Sequence, residues 1–498
     1  MNLLNEAKAR SLSGREARKM EKNLTMLTDF YQLTMANGYF NNGMKDTIAY
    51  FDMFFRKVPD DGGYAIMAGV EQLVEYLKDL RFTDEDIAYL EGRGCFSKGF
   101  LDYLKNFRFE CDVWAIPEGE IIFPGEPIVT VRGPIIQAQF IETMLLLTIN
   151  HQSLIATKAS RMVRAAEGRA VMEFGSRRAQ GADGAVLGAR AAYIAGAAGT
   201  ACVMSDRDYH VPAVGTMAHS WVQSFDSEYE SFKAYAETYP DACTVLVDTY
   251  NVLKSGVPNA IRVAKEVLEP AGHRLKGVRI DSGDIAYLSQ QTRRMLDEAG
   301  LQDCGIVVSN SLDEFLVLDL LRQGACINSF GIGERLITAK SAPVFVGVYK
   351  LVAIDDKQGG IIPKIKISEN VDKITNPHFK QVWRLTDRSD GKYRADVLTL
   401  RDEVIDDSQP YLLFDPTHTW KRRTITDYEA RPLQVQLFDQ GVCVHKARDI
   451  QEIRAFCKEC QGRIWNAVSR FENPHPYYVD LSQKLWDIKQ RLLMENSR

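Results

Sequence analysis

Between residues 170 and 333 the chain alternates six short apolar runs with helical or loop segments, and that alternation limits the folds open to it. The runs lie at 170–174, 201–204, 244–247, 277–280, 305–308 and 327–330, and helical patterns fall at 184–199, 221–239, 258–268, 285–299 and 313–322. Strands separated by helices cannot pair as hairpins. They predict parallel strands with right-handed crossovers, and so either a βα barrel or an open α/β sheet.

The residues that follow each run make the pattern chemical. Glu173 and 175–178, Asp206, Asp248, Arg279 with 281–284, 309–311 and 331–333 all stand at strand C-terminal ends. Loops between strands and helices are polar as a rule, but that rule does not account for so many acids and arginines. In βα folds this edge carries the active site, so the residues are expected to share one site. Asp281, Ser282, Gly283 and Asp284 place two carboxylates around a small turn, suited to ribose hydroxyls or to a Mg2+ ion held with phosphate oxygens. Ser309 and Asn310, and the glycines Gly331 and Gly333, offer hydroxyl, amide and bare backbone groups for phosphate. Arg177, Arg178 and Arg279 can clamp a carboxylate or phosphate in bidentate fashion, and Phe174 adds a ring face. Together they describe a site for a phosphorylated sugar and a planar anion.

His219, in the stretch Gly215-Thr216-Met217-Ala218-His219-Ser220-Trp221, follows a loop and opens the helical pattern at 221–239. A helix start offers free N–H groups and the positive end of its dipole, which favours phosphate and keeps a nearby imidazole neutral. His219 is therefore a candidate nucleophile beside a phosphate.

Around this core the chain reads as follows. Residues 1–22 are charged throughout and lack the apolar centre of a signal peptide, so they are expected to be a leader, either a disordered tail or part of a dimer contact, with the former favoured. A helix near 29–37 and strand-like runs at 48–58, 113–116 and 127–131 predict an N-terminal α+β domain over 23–150. A long helix over 135–166 leads into the βα domain, 151–340. Residues 341–401 return to β character and are expected to rejoin the first domain in part, and 402–498 form a C-terminal extension ending in helices at 449–465 and 481–494. The net charge of −5 gives no reason to expect nucleic acid or an anionic membrane as partner, and the most apolar run, 140–149, is shorter than the ~20 residues a bilayer needs. Nine cysteines without framework spacing point to free thiols in the cytoplasm. The nearest approach to a metal signature, Cys443 and His445 with Cys457 and Cys460, is read as ordinary thiols.

Seven segments in register carry a family resemblance: 173–178 (EFGSRR), 215–220 (GTMAHS), 247–250 (VDTY), 279–284 (RIDSGD), 330–333 (FGIG), 347–352 (GVYKLV) and 473–475 (NPH), joined by 29–34 (DFYQLT) near the start. Taken together they resemble the nicotinate phosphoribosyltransferases over nearly the whole chain. The resemblance implies a type II phosphoribosyltransferase-like architecture: an irregular βα barrel with an N-terminal α+β domain and a C-terminal extension, in a homodimer whose active sites are shared between subunits. It implies the reaction of nicotinate with phosphoribosyl pyrophosphate to give nicotinate mononucleotide and pyrophosphate, coupled to ATP hydrolysis and assisted by Mg2+. His219 matches the histidine that ATP phosphorylates, Asp248 the carboxylate that orients it, and Asp281 a third catalytic residue. The pyridine is expected between Phe174 and a Tyr31 contributed by the partner, with Thr216, Arg279 and Arg177 as further contacts. Asp281, Ser282, Gly283, Asp284, Ser309, Asn310, Gly331 and Gly333 are expected to hold phosphoribosyl pyrophosphate.

Two departures bear on these assignments. Glu334 follows Gly333 where some relatives have a hydroxyl, and a carboxylate is a poor phosphate neighbour, so the backbone amides of Gly331 and Gly333 carry that expectation. Ala201 stands where nicotinamide-using relatives have an aspartate, which an anionic substrate would not tolerate. The competing readings are a nicotinamide phosphoribosyltransferase and a catalytically silent nucleotide-binding relative. Quinolinate phosphoribosyltransferases are shorter and lack the phosphohistidine.

Overall fold

A computed structural model describes residues 23–356, 358–369 and 373–496; the expected leader lies outside the described residues. The chain divides into two compact units, one from Met1–Leu154 and Val344–Arg498, the other from Ile155–Pro343.

The first unit is built on strand pairs that join distant parts of the chain. Its seven-stranded sheet runs Ile361–Pro363, Gly347–Asp355, Ile48–Phe55, Val129–Pro134, Asp112–Ala115, Val435–Asp439, Val442–Cys443. Ile48–Phe55 is central because most of its side chains are buried and both edges are paired, antiparallel to Gly347–Asp355 and to Val129–Pro134. The return of the chain after residue 344 is thus a direct strand pairing. A second sheet orders Tyr428–Pro432, Lys380–Asp387, Tyr393–Leu400 and Val479–Leu481. The C-terminal residues therefore add strands to both sheets, besides the expected helices Ile450–Gly462 and Gln483–Asn496. The expected helix over 135–166 is two, Ile135–Phe140 and Glu142–Ala165, with Ile141 between them.

Cys457 and Cys460 sit buried within Ile450–Gly462, where burial pushes the Cys457 thiol up to about 12. His445 Nε2 lies 2.8 Å from Glu71 Oε1. Among the described residues no group of three or more His, Cys, Asp or Glu is placed to hold a metal ion, and no helix is long and apolar enough to cross a membrane.

The second unit is the alternating α/β body. Its strands are β1 (Ala170–Glu173), β2 (Gly199–Thr200), β3 (Thr244–Leu246), β4 (Gly277–Ile280), β5 (Gly305–Asn310) and β6 (Ser329–Ile332). All pair in parallel, in the order β2-β1-β6-β5-β4-β3. Val171, Val245, Val278, Ile280, Ile306, Val308, Phe330 and Ile332 are buried, the pattern expected of strands covered on both faces. Helices α1 (Ala182–Ile194), α2 (Val203–Tyr209), α3 (His219–Gln223), α4 (Glu228–Thr238), α5 (Val257–Val263), α6 (Ile285–Glu298) and α7 (Glu314–Arg322) fill the crossovers.

Two expectations fail locally. The run at 201–204 is not a strand: β2 is the Gly199–Thr200 pair before it, and Val203 and Met204 open α2. The helix expected over 221–239 is broken, because Ser227 turns its side chain to accept from Glu230 N and so starts α4 afresh.

Candidate active site

Register brings the strand ends to one edge. Thr200 pairs with Glu173, Glu173 with Ile332, Ile332 with Asn310, Ser309 with Gly331, and Val308 with Ile280, so the loops after five neighbouring strands begin side by side. β3 completes the row, since Leu246 pairs with Arg279 and Val247 N donates to Arg279 O. In open α/β sheets this is the edge where ligands bind.

Arg279, on β4, gathers the hydrogen bonds of this edge. Its Nε donates to Ser309 Oγ at 2.7 Å and its Nη2 to Asp281 Oδ1 at 3.0 Å. Nη1 reaches Thr216 Oγ1 and Met217 O, each at 3.5 Å. Ser309 Oγ also donates to Asp281 Oδ1. Burial works against ionisation of Asp281, but the Ser309 hydroxyl and the Arg279 guanidinium outweigh it and hold the carboxyl below its usual range. The ionised Asp281 can therefore accept from a sugar hydroxyl or meet a phosphate-bound cation.

Phe174 lies on the other side of the guanidinium, with Arg279 Cζ 5.8 Å from its ring centroid. The ring fits because position 331 is glycine: a Cβ there would come within 2.5 Å of Phe174 Cδ2. Beneath it, Glu173 is fully buried, accepting from Gly175 N through Oε1 and from Thr200 Oγ1 through Oε2 at 2.6 Å. Burial raises its pKa even against those two hydrogen bonds. Glu173 thus ties the loop that carries Arg177 and Arg178 to the end of β2, a role that residue type alone did not announce.

His219 is the first residue of α3, after an extended Ala218, as the sequence requires. Its partner differs from the expected one. His219 Nδ1 lies 3.1 Å from Thr249 Oγ1, whereas Asp248 Oδ2 accepts from Asp281 N at 2.9 Å and Ser282 Oγ at 2.7 Å. Asp248 thus holds the 281–282 turn through Oδ2. Asp248 Oδ1 is buried without a hydrogen-bond partner.

Thr216, Asp248, Arg279, Asp281, Ser282 and Ser309 are therefore joined by hydrogen bonds, with His219 bound to Thr249 next to Asp248 and with Phe174 and Gly331 at the same edge. Gly283 has φ +87°, a left-handed conformation that suits glycine in the turn. Asp284 faces its own helix, accepting from Tyr287 N at 3.1 Å as the cap of α6, and Asn310 Oδ1 accepts from Ser311 N at 2.6 Å. Arg177 and Arg178 are exposed. Glu334 is paired with Lys340 at 2.7 Å, and that bond with the Lys340 charge lowers its pKa. Tyr31 belongs to the first unit, in helix Phe30–Asn41, where it is 47% exposed.

A parallel α/β sheet carries an arginine–carboxylate–hydroxyl cluster at its C-terminal edge, with a glycine-cradled aromatic ring and a helix-start histidine, the edge at which α/β proteins of this class bind ligands. The chain matches the family described as nicotinate phosphoribosyltransferase over residues 169–387, with that family's N-terminal domain over 26–150 and its C-terminal domain over 379–489. It belongs to the nicotinate phosphoribosyltransferase family. It is 40% identical to the nicotinate phosphoribosyltransferase of Bacillus subtilis over 477 residues, covering 95% of this chain and 96% of that one. The crystal structure of human nicotinic acid phosphoribosyltransferase is similar with a TM-score of 0.82 at 30% identity, covering 95% of this chain and all of that one. A nicotinate-nucleotide pyrophosphorylase from Pyrococcus furiosus shares the fold, with a TM-score of 0.68 at 20% identity, over 91% of this chain and 98% of that one.

Proposed function

We propose that this chain is a nicotinate phosphoribosyltransferase, joining nicotinate to the ribose of phosphoribosyl pyrophosphate with release of pyrophosphate, in NAD salvage. The Arg279 cluster carries the reading: a guanidinium beside an aromatic face suits a planar carboxylate, and an ionised Asp281 next to Ser282 and Ser309 suits a phosphorylated ribose. ATP is hydrolysed in step with turnover through phosphorylation of His219, whose place at a helix start favours an incoming phosphate; phospho-His219 then charges and closes the site. Mg2+ enters with the substrate phosphates. The low pKa of Asp281 and the unpartnered Asp248 Oδ1 fit an ion held by one or two carboxylates and phosphate oxygens. Phosphoribosyl pyrophosphate rests against Asp281, Ser282, Gly283 and Ser309 and the backbone of Gly331 and Gly333. Nine cysteines free of disulfides suit a cytoplasmic enzyme.

The enzyme acts as a homodimer in which Tyr31 is offered to the partner's site. Its hydroxyl donates to Glu142 Oε2 at 3.2 Å, and Glu142 is held by Gln32 and Gln139 at 2.7 and 2.8 Å. Burial of the hydroxyl and the Glu142 charge push the Tyr31 phenol up to about 12. The ring is thus fixed at its hydroxyl while the residue stays 47% exposed, which suits a stacking platform. Tyr31→Ala is expected to raise KM for nicotinate about 2- to 10-fold, the worth of one aromatic stack. Steady-state kinetics at saturating phosphoribosyl pyrophosphate check this, and an unchanged KM would return Tyr31 to a purely structural role.

Mononucleotide formation tests the function directly, with nicotinate or nicotinamide, each with and without Mg-ATP. The expected result is a strong preference for nicotinate and stimulation by Mg-ATP. Preference for nicotinamide would overturn the substrate assignment, and no product from either would leave a silent relative.

A further inference from the structure

We propose that Arg335 is a positioning residue for phosphoribosyl pyrophosphate: its ion pair with Asp313 holds the loops after β5 and β6 in place against each other. The inference rests on the reading of those loops as part of the phosphate site and adds the contact that keeps them together.

β5 and β6 are paired only as far as Asn310 and Ile332. Beyond that point the backbone ladder no longer fixes one loop against the other, although Ser309 and Asn310 lead into the first and Gly331 and Gly333 into the second. The first loop is also strained where it begins. Asn310 has φ +154°, a conformation that residues with a side chain rarely adopt and that persists only where the surrounding structure holds it.

Asp313 and Arg335 supply that hold. Asp313 ends the first loop: its Oδ1 accepts from Leu316 N at 2.9 Å and caps α7, and its Oδ2 accepts from Arg335 Nη1. Arg335 stands in the short helix Glu334–Ile337, directly after Gly333. One carboxylate thus fixes a helix start with one oxygen and the neighbouring loop with the other. A second tie joins the same two segments further along the chain. Lys158 Nζ donates to Glu314 Oε1 at 2.9 Å and to Ser341 Oγ at 2.7 Å, and Arg161 Nε donates to Glu314 Oε1 at 2.7 Å. Glu314, Lys158 and Arg161 are buried, so this tie is a fixed base. The Arg335 and Asp313 side chains are 36% and 19% exposed, so their pair can be cut without stranding a charge wholly out of water.

Titration calorimetry of the full chain with phosphoribosyl pyrophosphate and Mg2+, together with steady-state kinetics, tests this on Arg335→Met, Asp313→Asn, the double variant and Arg335→Lys. The asparagine keeps the cap of α7, since its side-chain oxygen still accepts from Leu316 N. Arg335→Met is expected to raise Kd and KM for phosphoribosyl pyrophosphate about 3- to 10-fold, the worth of one partly exposed charge-assisted hydrogen bond, and to leave KM for nicotinate unchanged. A mere loss of folded protein would lower kcat and move neither constant. Asp313→Asn is expected to match Arg335→Met, and the double variant to be no worse than either, as for two residues that act through one contact. Arg335→Lys keeps the charge and is expected to recover most of the affinity. Unchanged affinity for phosphoribosyl pyrophosphate in Arg335→Met overturns the inference. So does a neutral Asp313→Asn beside an impaired Arg335→Met, or additive losses in the double variant, because Arg335 would then act without Asp313. A wild type that binds no phosphoribosyl pyrophosphate would overturn the proposed function, and the inference with it.

Discussion

Arg279→Gln is expected to lower kcat/KM for nicotinate on the order of 10²- to 10³-fold, the range for losing one preorganised charged donor in an active site. The effect should be large because Arg279 serves four partners, Ser309, Asp281, Thr216 and the Met217 carbonyl. Without it, Ser309 loses one donor and Asp281 loses both a hydrogen bond and the adjacent positive charge. The Asp281 carboxyl is then expected to titrate at higher pH, so the acid limb of the pH–rate profile moves upward in the variant. Arg279→Lys keeps the charge but cannot reproduce a fork that reaches Ser309 through Nε and Asp281 through Nη2 at once, so it should recover only part of the loss. Steady-state kinetics across pH check both statements. A glutamine variant within a few-fold of wild type, with its acid limb unmoved, would show that the guanidinium neither holds nicotinate nor sets the state of Asp281.

How far the sequence foretells this site depends on the kind of interaction. Strands β1, β3, β4 and β5 stand where the apolar runs are, because a strand buried on both faces leaves a continuous apolar signature. The run at 201–204 misleads for the opposite reason: four apolar residues are too few to show a period, and the Val203 and Met204 side chains serve a helix. The C-terminal strands Tyr428–Pro432 and Val435–Asp439 were hidden because their partners, Lys380–Asp387 and Asp112–Ala115, lie far away in the chain, and pairing of that kind leaves little local pattern. Within the site, residue types at strand ends single out Phe174, Arg279 and Asp281, and a helix start singles out His219. They do not say which of two adjacent residues, Asp248 or Thr249, faces the imidazole, because a one-residue difference at a bend reverses direction without changing composition. Nor does Glu173 announce that it is buried, since a carboxylate before a glycine loop reads as solvent-facing until Thr200 is placed beside it.

The same limit hides the most costly residue of the first unit. Arg384 is wholly buried, bidentate to Asp396 at 2.9 and 2.6 Å, and bound to Glu120 Oε1 at 2.6 Å and Ile121 O at 2.9 Å. Arg431 takes the other oxygen of Glu120 at 2.7 Å, and Tyr477 donates to Asp396 at 3.2 Å. Burial opposes ionisation of Glu120, but the charges of Arg384 and Arg431 outweigh it and keep its pKa low. Glu126 stands beside this network as a third carboxyl facing two guanidiniums, and burial first, then the Asp396 charge, raises its pKa well above the usual range. Arg384→Met is therefore expected to cost about 3–5 kcal/mol, because it leaves Asp396 with no cation and Glu120 with one, both out of water. The cost must also depend on pH. In the wild type, the lowered pKa of Glu120 adds stability above its unfolded value near 4.5, and that stability is lost as pH falls. In the variant, the stranded carboxyls are expected to have raised pKa values, so their contribution is present at low pH and lost as pH rises. The difference between the two proteins should therefore be large near pH 8 and shrink towards pH 5. Urea unfolding midpoints of both proteins at the two pH values measure it. A loss below ~1 kcal/mol, or one equal at both pH values, would mean that the buried carboxyls do not depend on Arg384 for their charge.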